Sequence, residues 1–229
     1  MQASDLMGEE ITPSEWIFPD PNLAQTGKDF VITEGDLAPS TLVAAYRAGY
    51  FPMHVQNDHD EEILGWFSPD PRGVLFLDEF IVSRSLAKSI KKYKVKYDQD
   101  FLKIIEGCAD PTRRQGWINP EIKSAYQKMH ELNIAHSVGV YNQKDELVGG
   151  LYGIELGGFF AGESMFHLAR DASKVALYWL VEKLKSKPQS RLLDVQWQTP
   201  HLARLGVREI TRSEYLKLLK IALDQPTVF

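Results

Sequence analysis

A glycine-rich stretch from Asp145 to Phe166, DELVGGLYGIELGGFFAGESMF, constrains the fold more than any other part of the chain. Side chains alternate in its first half, which predicts a strand, and Gly157-Gly158 predicts a turn into a second strand. Near its end a single carboxylate, Glu163, stands among large apolar residues. Because an unpaired carboxylate is costly to bury, Glu163 either points to solvent or finds partners inside a site.

Composition narrows the class of protein. The 229 residues can form one large or two small domains, and no apolar run is long enough to span a membrane. Cys108 is the only cysteine, which excludes a disulfide framework and a thiolate metal site. The acidic N-terminus lacks the apolar core of a signal peptide, so we expect a cytoplasmic protein. The net charge of −5 argues against indiscriminate nucleic-acid binding but allows a local basic patch.

An aromatic-proline turn, WFSPDPR, predicts a domain boundary between a small N-terminal domain, residues 1–70, and a main domain, residues 71–229. In the main domain, two strands, a helix, a strand and a helix follow in this order. That order predicts an α/β (α+β) fold in which helices cover both faces of a mixed sheet. The arrangement is similar to the GNAT acyltransferase fold, although a fold does not identify the acyl donor.

The segment from Ser83 to Tyr93 reads as a helix with one basic face. No acid lies between Ser83 and Lys96. Helical spacing gathers the four cations on a face apart from the apolar stripe: Arg84, Lys88, Lys91 and Lys92. Such a face suits phosphate contacts, although a solvated helix surface has the same pattern.

The strand LLDVQ carries two polar residues, Asp194 and Gln196, which strand periodicity places on one side of the sheet. Glu163 and Met165 form the same kind of pair on the neighbouring strand. Two alternatives remain open: a buried structural network, or a polar corner beside an apolar pocket. Phe160, Leu151 and Met165 would form that pocket.

Many motifs, in order along the chain, resemble one family. They are FPDP, GDL, AYRAGYFP, WFSPDPRGVL, SRSL, IEGCA, GWI, HELNIAHSVGVY, ELVGGLYG, FFAGESMF, SKVAL, LLDVQ and TPHLARLG. Together they span about Phe18 to Leu216 and resemble the leucyl/phenylalanyl-tRNA–protein transferases.

The resemblance implies a small N-terminal domain and a GNAT-like catalytic domain. It also implies transfer of leucine or phenylalanine, with methionine as a further candidate, from aminoacyl-tRNA to the α-amine of proteins that begin with Lys or Arg. The product is marked for N-degron degradation. The resemblance implies no metal, no ATP and no other cofactor, and the partners are aminoacyl-tRNA and acceptor proteins. We expect a monomer with no membrane association.

The resemblance also assigns roles to residues. Asp194 and Gln196 match the catalytic pair, and Arg84, Lys88, Lys91 and Lys92 match the tRNA-backbone contact. The predicted substrate-binding residues are Leu151, Phe160, Glu163, Ser164, Met165, Leu193, Trp117, Trp66 and Met53. Trp117 matches the aromatic that holds the terminal adenosine. The chain departs from the family pattern at Met53, where tryptophan is usual, at Trp66-Phe67, where two tryptophans are usual, and at Asn119-Pro120.

As a mechanism, we hypothesise that Gln196 orients the attacking amine, while Asp194 either holds Gln196 or receives charge as the proton leaves. Two rival hypotheses are an acyl-CoA-dependent GNAT N-acyltransferase and a non-catalytic tRNA- or peptide-binding protein. The first lacks a clear pyrophosphate-binding loop in this sequence.

Overall fold

The computed structural model describes residues 13–56, 59, 61–110, 117–187 and 189–229. Residues 1–12 of the predicted N-terminal domain therefore lie outside the described part. The strands are β1 (Phe30–Ile32), β2 (Phe51–Gln56), β3 (Glu62–Ser68), β4 (Arg72–Leu75), β5 (Lys94–Tyr97), β6 (Ala135–Tyr141), β7 (Leu147–Leu156), β8 (Phe159–His167), β9 (Leu192–Gln196) and β10 (Arg208–Ile210). The α-helices are α1 (Pro39–Ala48), α2 (Arg84–Ile90), α3 (Phe101–Cys108), α4 (Pro120–Glu131), α5 (Ala172–Leu184), α6 (Pro200–Ala203) and α7 (Arg212–Leu223).

The strands form two sheets. β1, β3 and β2 make a small antiparallel sheet in that order. The larger sheet has the order β10-β4-β9-β8-β7-β6-β5, and β8–β9 is its parallel pair while its other neighbours are antiparallel. The glycine-rich hairpin predicted from the sequence is β7–β8. The prediction of a mixed α/β fold with a small N-terminal part is confirmed.

Helices cover both faces of the large sheet because its central strands are buried on both sides. Helices α3 and α4 pack on one face together with α1 and α7, around a core that includes Ile104 and Tyr126. Helix α5 packs on the other face, with α2 against it, around a core that includes Leu86 and Leu180. β6, which lies between β7 and β5, is buried at every position. The sheet therefore forms the middle layer of three.

The predicted basic helix is α2, and its start follows the expected capping chemistry. The Ser83 hydroxyl accepts a hydrogen bond from the Leu86 amide at 3.2 Å. The expected cap of α5, Asp171, does not cap the backbone of that helix. Its carboxylate instead accepts hydrogen bonds from Ser89 at 3.0 Å and Lys174 at 2.8 Å, so it ties α2 to the start of α5.

The small sheet ends at Ser68 and the large sheet begins at Arg72, so the predicted boundary falls between them. One buried apolar cluster nevertheless contains residues from both parts, for example Trp66 and Tyr152. The division into residues 1–70 and 71–229 stays a prediction. In the described ranges, no helix is both long and apolar enough to cross a membrane.

Candidate active site

Two adjoining cavities open between the ends of β8 and β9. The larger one, a cleft of about 530 Å³, is lined by Met53 and Trp117 on one side and by Glu163 and Gln196 on the other. The smaller one, about 130 Å³, continues from it towards α5. The two share several lining residues: Glu163, Ser164, Met165, Val195, Gln196 and Leu202. The hairpin and LLDVQ therefore form a common site.

Gln196 ends β9 in an unusual conformation. Its φ is 61°, and the Trp197 amide donates to the Val195 carbonyl at 2.7 Å, which makes a γ-turn centred on Gln196. A positive φ at a residue other than Gly, Asn or Asp is costly and is often found at functional sites. The turn follows a bulge at Val195, where the register with β4 shifts. The strand end is therefore bent towards the cavities.

The neighbouring strand makes room for this turn. A Cβ atom at Gly73 would lie 2.7 Å from the carbonyl carbon of Trp197 and 2.8 Å from the amide nitrogen of Gln198. Only glycine at that place allows the two backbones to approach so closely.

The Gln196 side chain lines both cavities although the residue is only 8 % exposed. Its amide nitrogen is buried and has no hydrogen-bond partner among the described residues. Buried polar groups are usually satisfied, so an amide left without a partner beside a cavity indicates a group available to a ligand.

Asp194 is fully buried and does not line either cavity. Arg72 binds its carboxylate through Nε at 2.9 Å and Nη2 at 2.6 Å, and Tyr215 donates to it at 3.0 Å. The Gln196 backbone N–H donates to Asp194 Oδ1 at 2.9 Å. With all these donors, the carboxylate holds the Gln196 turn in place.

Arg72 is enclosed as completely as its partner. Its guanidinium lies 4.9 Å from the ring centre of Phe51 and 4.3 Å from that of Tyr215, and it donates to the Gly49 carbonyl at 3.1 Å. Burial by itself would lower the pKa of Arg72, but the adjacent Asp194 carboxylate raises the pKa above its ordinary value. The pair is therefore a charged, fully satisfied anchor.

Glu163 occupies a second bulge, at the point where β8 shifts its register against β7. Tyr46 donates to Oε1 at 2.7 Å and Tyr126 donates to Oε2 at 3.0 Å, and the two hydroxyl groups also contact each other. Part of the side chain faces the cleft. The bulge thus turns the acid inward, where residues from α1 and α4 receive it.

Burial raises the pKa of Glu163 to about 7, even though the two tyrosine hydrogen bonds and Arg72 act in the opposite direction. The nearby Asp194 carboxylate acts in the same direction as burial. Glu163 therefore changes its charge near neutral pH.

The smaller cavity has an apolar wall. Leu151, Met165 and Leu193 line it, as predicted for a side-chain pocket, together with Leu177 and Leu180 from α5. Phe160 is fully buried and is the Cα partner of Leu193 across β8 and β9. It therefore lies outside the cavity lining and supports Leu193.

Three large side chains line the wider cleft away from this pocket: Met53, Trp117 and Trp197. The Trp197 ring packs edge-on against Phe51, with 5.0 Å between ring centres. Residues 111–116, which precede Trp117, lie outside the described residues. This wall offers flat apolar surface to a ligand.

Trp66 requires a correction, because the structure does not bring it to the cleft. It is fully buried, its indole N–H donates to the Glu34 carbonyl at 2.9 Å, and its ring packs edge-on against Phe18 at 5.1 Å. The strand alternation of β3 turns Trp66 into the N-terminal core and leaves its neighbour Phe67 to pack against Trp197.

The predicted basic face lies on the surface, away from the cavity lining. Arg84, Lys88, Lys91 and Lys92 are all exposed. Helix α2 carries Arg84 and Lys88, and Lys91 and Lys92 lie just past its last residue. The Ser89–Asp171 hydrogen bond holds the helix next to the first turn of α5.

Sequence reasoning missed five residues of the site: Tyr46, Arg72, Tyr126, Trp197 and Tyr215. Tyr46 and Tyr126 fall within apolar helical stripes, where they read as ordinary core residues. The signal for Arg72 was indirect, because a buried Asp194 requires a cation partner and Arg72 begins a buried strand.

Comparisons with known proteins identify the family of the chain. A family model described as leucyl/phenylalanyl-tRNA protein transferase matches residues 74–220, and a model of that family's N-terminal domain matches residues 35–70. A leucyl/phenylalanyl-tRNA–protein transferase of Ruegeria sp. (strain TM1040) is 48% identical over 195 residues, which cover 84% of this chain and 90% of that protein. The namesake protein of Anaeromyxobacter sp. (strain Fw109-5) is 45% identical over 221 residues, 94% of this chain and 91% of that protein.

Among solved structures, one described as L-PGS from Bacillus licheniformis aligns with a TM-score of 0.40 and 11% identity, over 76% of this chain and 57% of that chain. A similarity of this size does not bear on the argument. The two family models cover both parts of the chain and include every residue that lines the cleft. The chain therefore belongs to the leucyl/phenylalanyl-tRNA–protein transferase family.

Proposed function

We propose that this protein transfers leucine or phenylalanine from aminoacyl-tRNA to the N-terminal α-amine of proteins that begin with Lys or Arg. Methionine is a further candidate donor. The observation that carries the proposal is the unpartnered Gln196 amide, held in a strained turn where an apolar pocket meets an open cleft. Such a junction suits a group that aligns two substrates.

The proposed reaction requires little chemical activation of its substrates by the protein. The neutral amine attacks the ester carbonyl carbon, a C–N bond forms, the C–O bond to the ribose breaks, and the amine proton goes to the ribose oxygen. The α-amine has a pKa of roughly 8, so a useful fraction is neutral near pH 7. Most of the acceleration then comes from holding the two reactants together.

Within this scheme Gln196 orients the reactants. Its amide oxygen can accept a hydrogen bond from the attacking amine, and its amide nitrogen can donate to the ester carbonyl oxygen. Asp194 acts through Gln196, because its carboxylate is fully buried and occupied by Arg72 and Tyr215. Of the two roles considered for Asp194, this geometry favours holding Gln196 over receiving the proton.

The smaller cavity fits the donor side chain. Leu151, Leu193 and Met165 give it an apolar lining, which accepts straight or γ-branched side chains and discriminates by about 1–3 kcal/mol per methylene. The wider cleft, with Trp117 and Met53, would hold the terminal adenosine by stacking. Valine and isoleucine are expected to be poorer donors.

The acceptor's basic first residue needs a carboxylate. Glu163 faces the cleft and is one candidate, and a surface acid near the mouth is the other. The product would be marked for N-degron degradation. The proposal also includes a cytoplasmic location and a monomeric state. The single Cys108 supports the location, because a chain with one cysteine has no internal disulfide framework.

Labelled transfer tests the proposal. The protein is mixed with labelled Leu-tRNA and, in separate reactions, with peptides that begin with Lys, Arg, Asp or Ala. We expect label on the Lys and Arg peptides alone. If no peptide is labelled, the proposal is refuted and a non-catalytic tRNA- or peptide-binding protein is the remaining reading. Transfer from acetyl-CoA instead would favour the acyl-CoA-dependent alternative.

A further inference from the structure

We propose that His167, Lys174, His201 and Arg204, here called the rim cluster, bind the backbone phosphates of the last nucleotides of the tRNA donor. The inference rests on the proposed function and assigns a second phosphate-binding surface, distinct from α2, to the mouth of the cleft.

Each member of the rim cluster lies next to a residue that lines the cavities. His167 is on the same face of β8 as Met165, because strand residues two apart share a face. Lys174 precedes Leu177 by three positions on α5, and His201 and Arg204 flank Leu202 on and after α6.

The cluster is available to a ligand. His167, His201 and Arg204 are exposed, and none of their side chains has a hydrogen-bond or ion-pair partner in the described part of the chain. Lys174 is paired with Asp171 at 2.8 Å, which also fixes its direction. The rim cluster therefore contains three basic side chains without protein partners and a fourth, Lys174, whose direction is fixed.

The electrostatics at this rim are positive although the whole protein is acidic. Partial burial lowers the pKa of His201 from its ordinary value, and the nearby Lys174, His167 and Arg204 lower the pKa further. A group whose protonation is disfavoured by neighbouring basic side chains lies in a positive field, which an anion would relieve.

Charge decides which substrate this surface receives. A Lys or Arg acceptor would be repelled by the rim cluster, whereas the phosphates of the donor's 3′ end would be attracted. The donor ester has to lie at Gln196, so the nucleotides that precede the terminal adenosine must leave the cleft over its mouth. Phosphate contacts at that point would fix the register of the donor.

The cluster also continues the basic face of α2. Ser89 of α2 bonds to Asp171, and Asp171 bonds to Lys174 of the rim cluster. The two basic surfaces are therefore connected through one carboxylate, and a single nucleic-acid chain could pass from one to the other.

Three donors of increasing length test the inference: leucyl-adenosine, which has no phosphate, a leucyl-CCA trinucleotide, and Leu-tRNA. In the double variant His201→Ala/Arg204→Ala, we expect KM for the trinucleotide and for tRNA to rise on the order of tenfold, while KM for leucyl-adenosine stays unchanged. Both residues are exposed, so the fold should tolerate the change. Arg204→Lys should recover most of the loss.

Two controls separate the surfaces. Lys217→Ala/Lys220→Ala on the exposed side of α7 should change no KM. Lys88→Glu/Lys91→Glu should weaken Leu-tRNA but not the trinucleotide. If KM rises equally for all three donors in the double variant, or rises for none of them, the inference is overturned. The proposed function still stands in that case, provided that the wild-type protein transfers leucine. A wild-type protein that transfers from none of the donors would overturn both.

Discussion

At the residue scale, the two acids of the site differ in how their surroundings stabilise a negative charge. Asp194 is fully buried and Glu163 is half-buried, and their surroundings differ as well. A guanidinium binds both carboxylate oxygens of Asp194, whereas burial beside two tyrosine hydroxyls leaves Glu163 with a pKa of about 7. One acid is therefore a fixed anchor, and the other responds to pH.

Glu163 should make stability depend on pH. Its folded-state pKa of about 7 lies above the ordinary value of 4.5, so the folded protein keeps a proton that the unfolded chain has lost. The free energy of unfolding therefore falls as pH rises from about 4.5 to about 7, by roughly 3 kcal/mol at most. Glu163→Gln should remove this fall, as measured by urea unfolding at pH 5 and pH 8.

The exposed Glu209→Gln serves as the matched control and should keep the wild-type pH dependence. If Glu163→Gln also keeps it, the carboxyl is not the proton-binding group that the geometry indicates.

Arg72 should be far more important to stability than an exposed arginine. Arg72→Ala leaves Asp194 buried without its main partner, which should cost about 3–5 kcal/mol in urea unfolding. Arg208→Ala removes an exposed pair with Glu79 and should cost less than about 1 kcal/mol. Similar costs for the two variants would contradict the picture of a buried anchor.

At the element scale, two irregular strands create the site. The hairpin β7–β8, the basic helix and the mixed sheet were all predictable, because alternation and helical spacing report directly on burial. The two bulges were not, since a register shift at Glu163 or Val195 depends on partner strands that are distant in sequence. For the same reason the simple alternation that put Asp194 and Gln196 on one side missed their different exposure to the cavities.

Residue patterns alone could not choose the aromatic residues of the site, and the resemblance placed Trp66 there although it lies in the core. Alternation could not show that Trp66 faces the core while Phe67 packs on Trp197, because both rings suit a buried strand. Likewise, Tyr46 and Tyr126 lie 80 positions apart, and only packing of α1 against α4 brings their hydroxyls to one carboxylate.

Helix α2 should provide sequence-independent affinity for tRNA. Reversing Lys88 and Lys91 to Glu should weaken binding and reduce the slope of log K against log salt by at least about 2, because each cation contributes close to one released counterion. Filter binding over a series of salt concentrations measures this slope. Lys217→Glu/Lys220→Glu makes the same charge change on α7 and should have a much smaller effect. An unchanged slope for the α2 variant would show that this face is ordinary solvated surface and not a tRNA contact.

At the scale of the whole molecule, a buried arginine joins the small sheet to the rest. The Arg212 guanidinium donates to the carbonyls of Lys28 and Ser68 at 2.9 Å each, and its backbone N–H donates to Asp70 at 3.0 Å. This junction matters to function because Met53, from the small sheet, lines the cleft whose other wall belongs to the large sheet.

Arg212→Ala should loosen that junction. Several buried carbonyl groups lose their donor, so we expect a cost of about 3–5 kcal/mol and faster hydrogen exchange in β1, β2 and β3 than in β6 and β7. Arg47→Ala, at an exposed position of α1, is the control. Uniform loss of protection over both sheets would show that the molecule opens as one unit.

The proposed role of Gln196 is to align the reactants in the cleft between the two strand ends. The single-turnover transfer rate of Gln196→Ala with labelled Leu-tRNA and an Arg-initiated peptide, measured beside Leu-tRNA affinity, tests this role. We expect a rate at least about a hundredfold lower, since loss of alignment at the reacting atoms has effects of that order, with tRNA affinity unchanged. A variant that transfers at the wild-type rate would contradict this role.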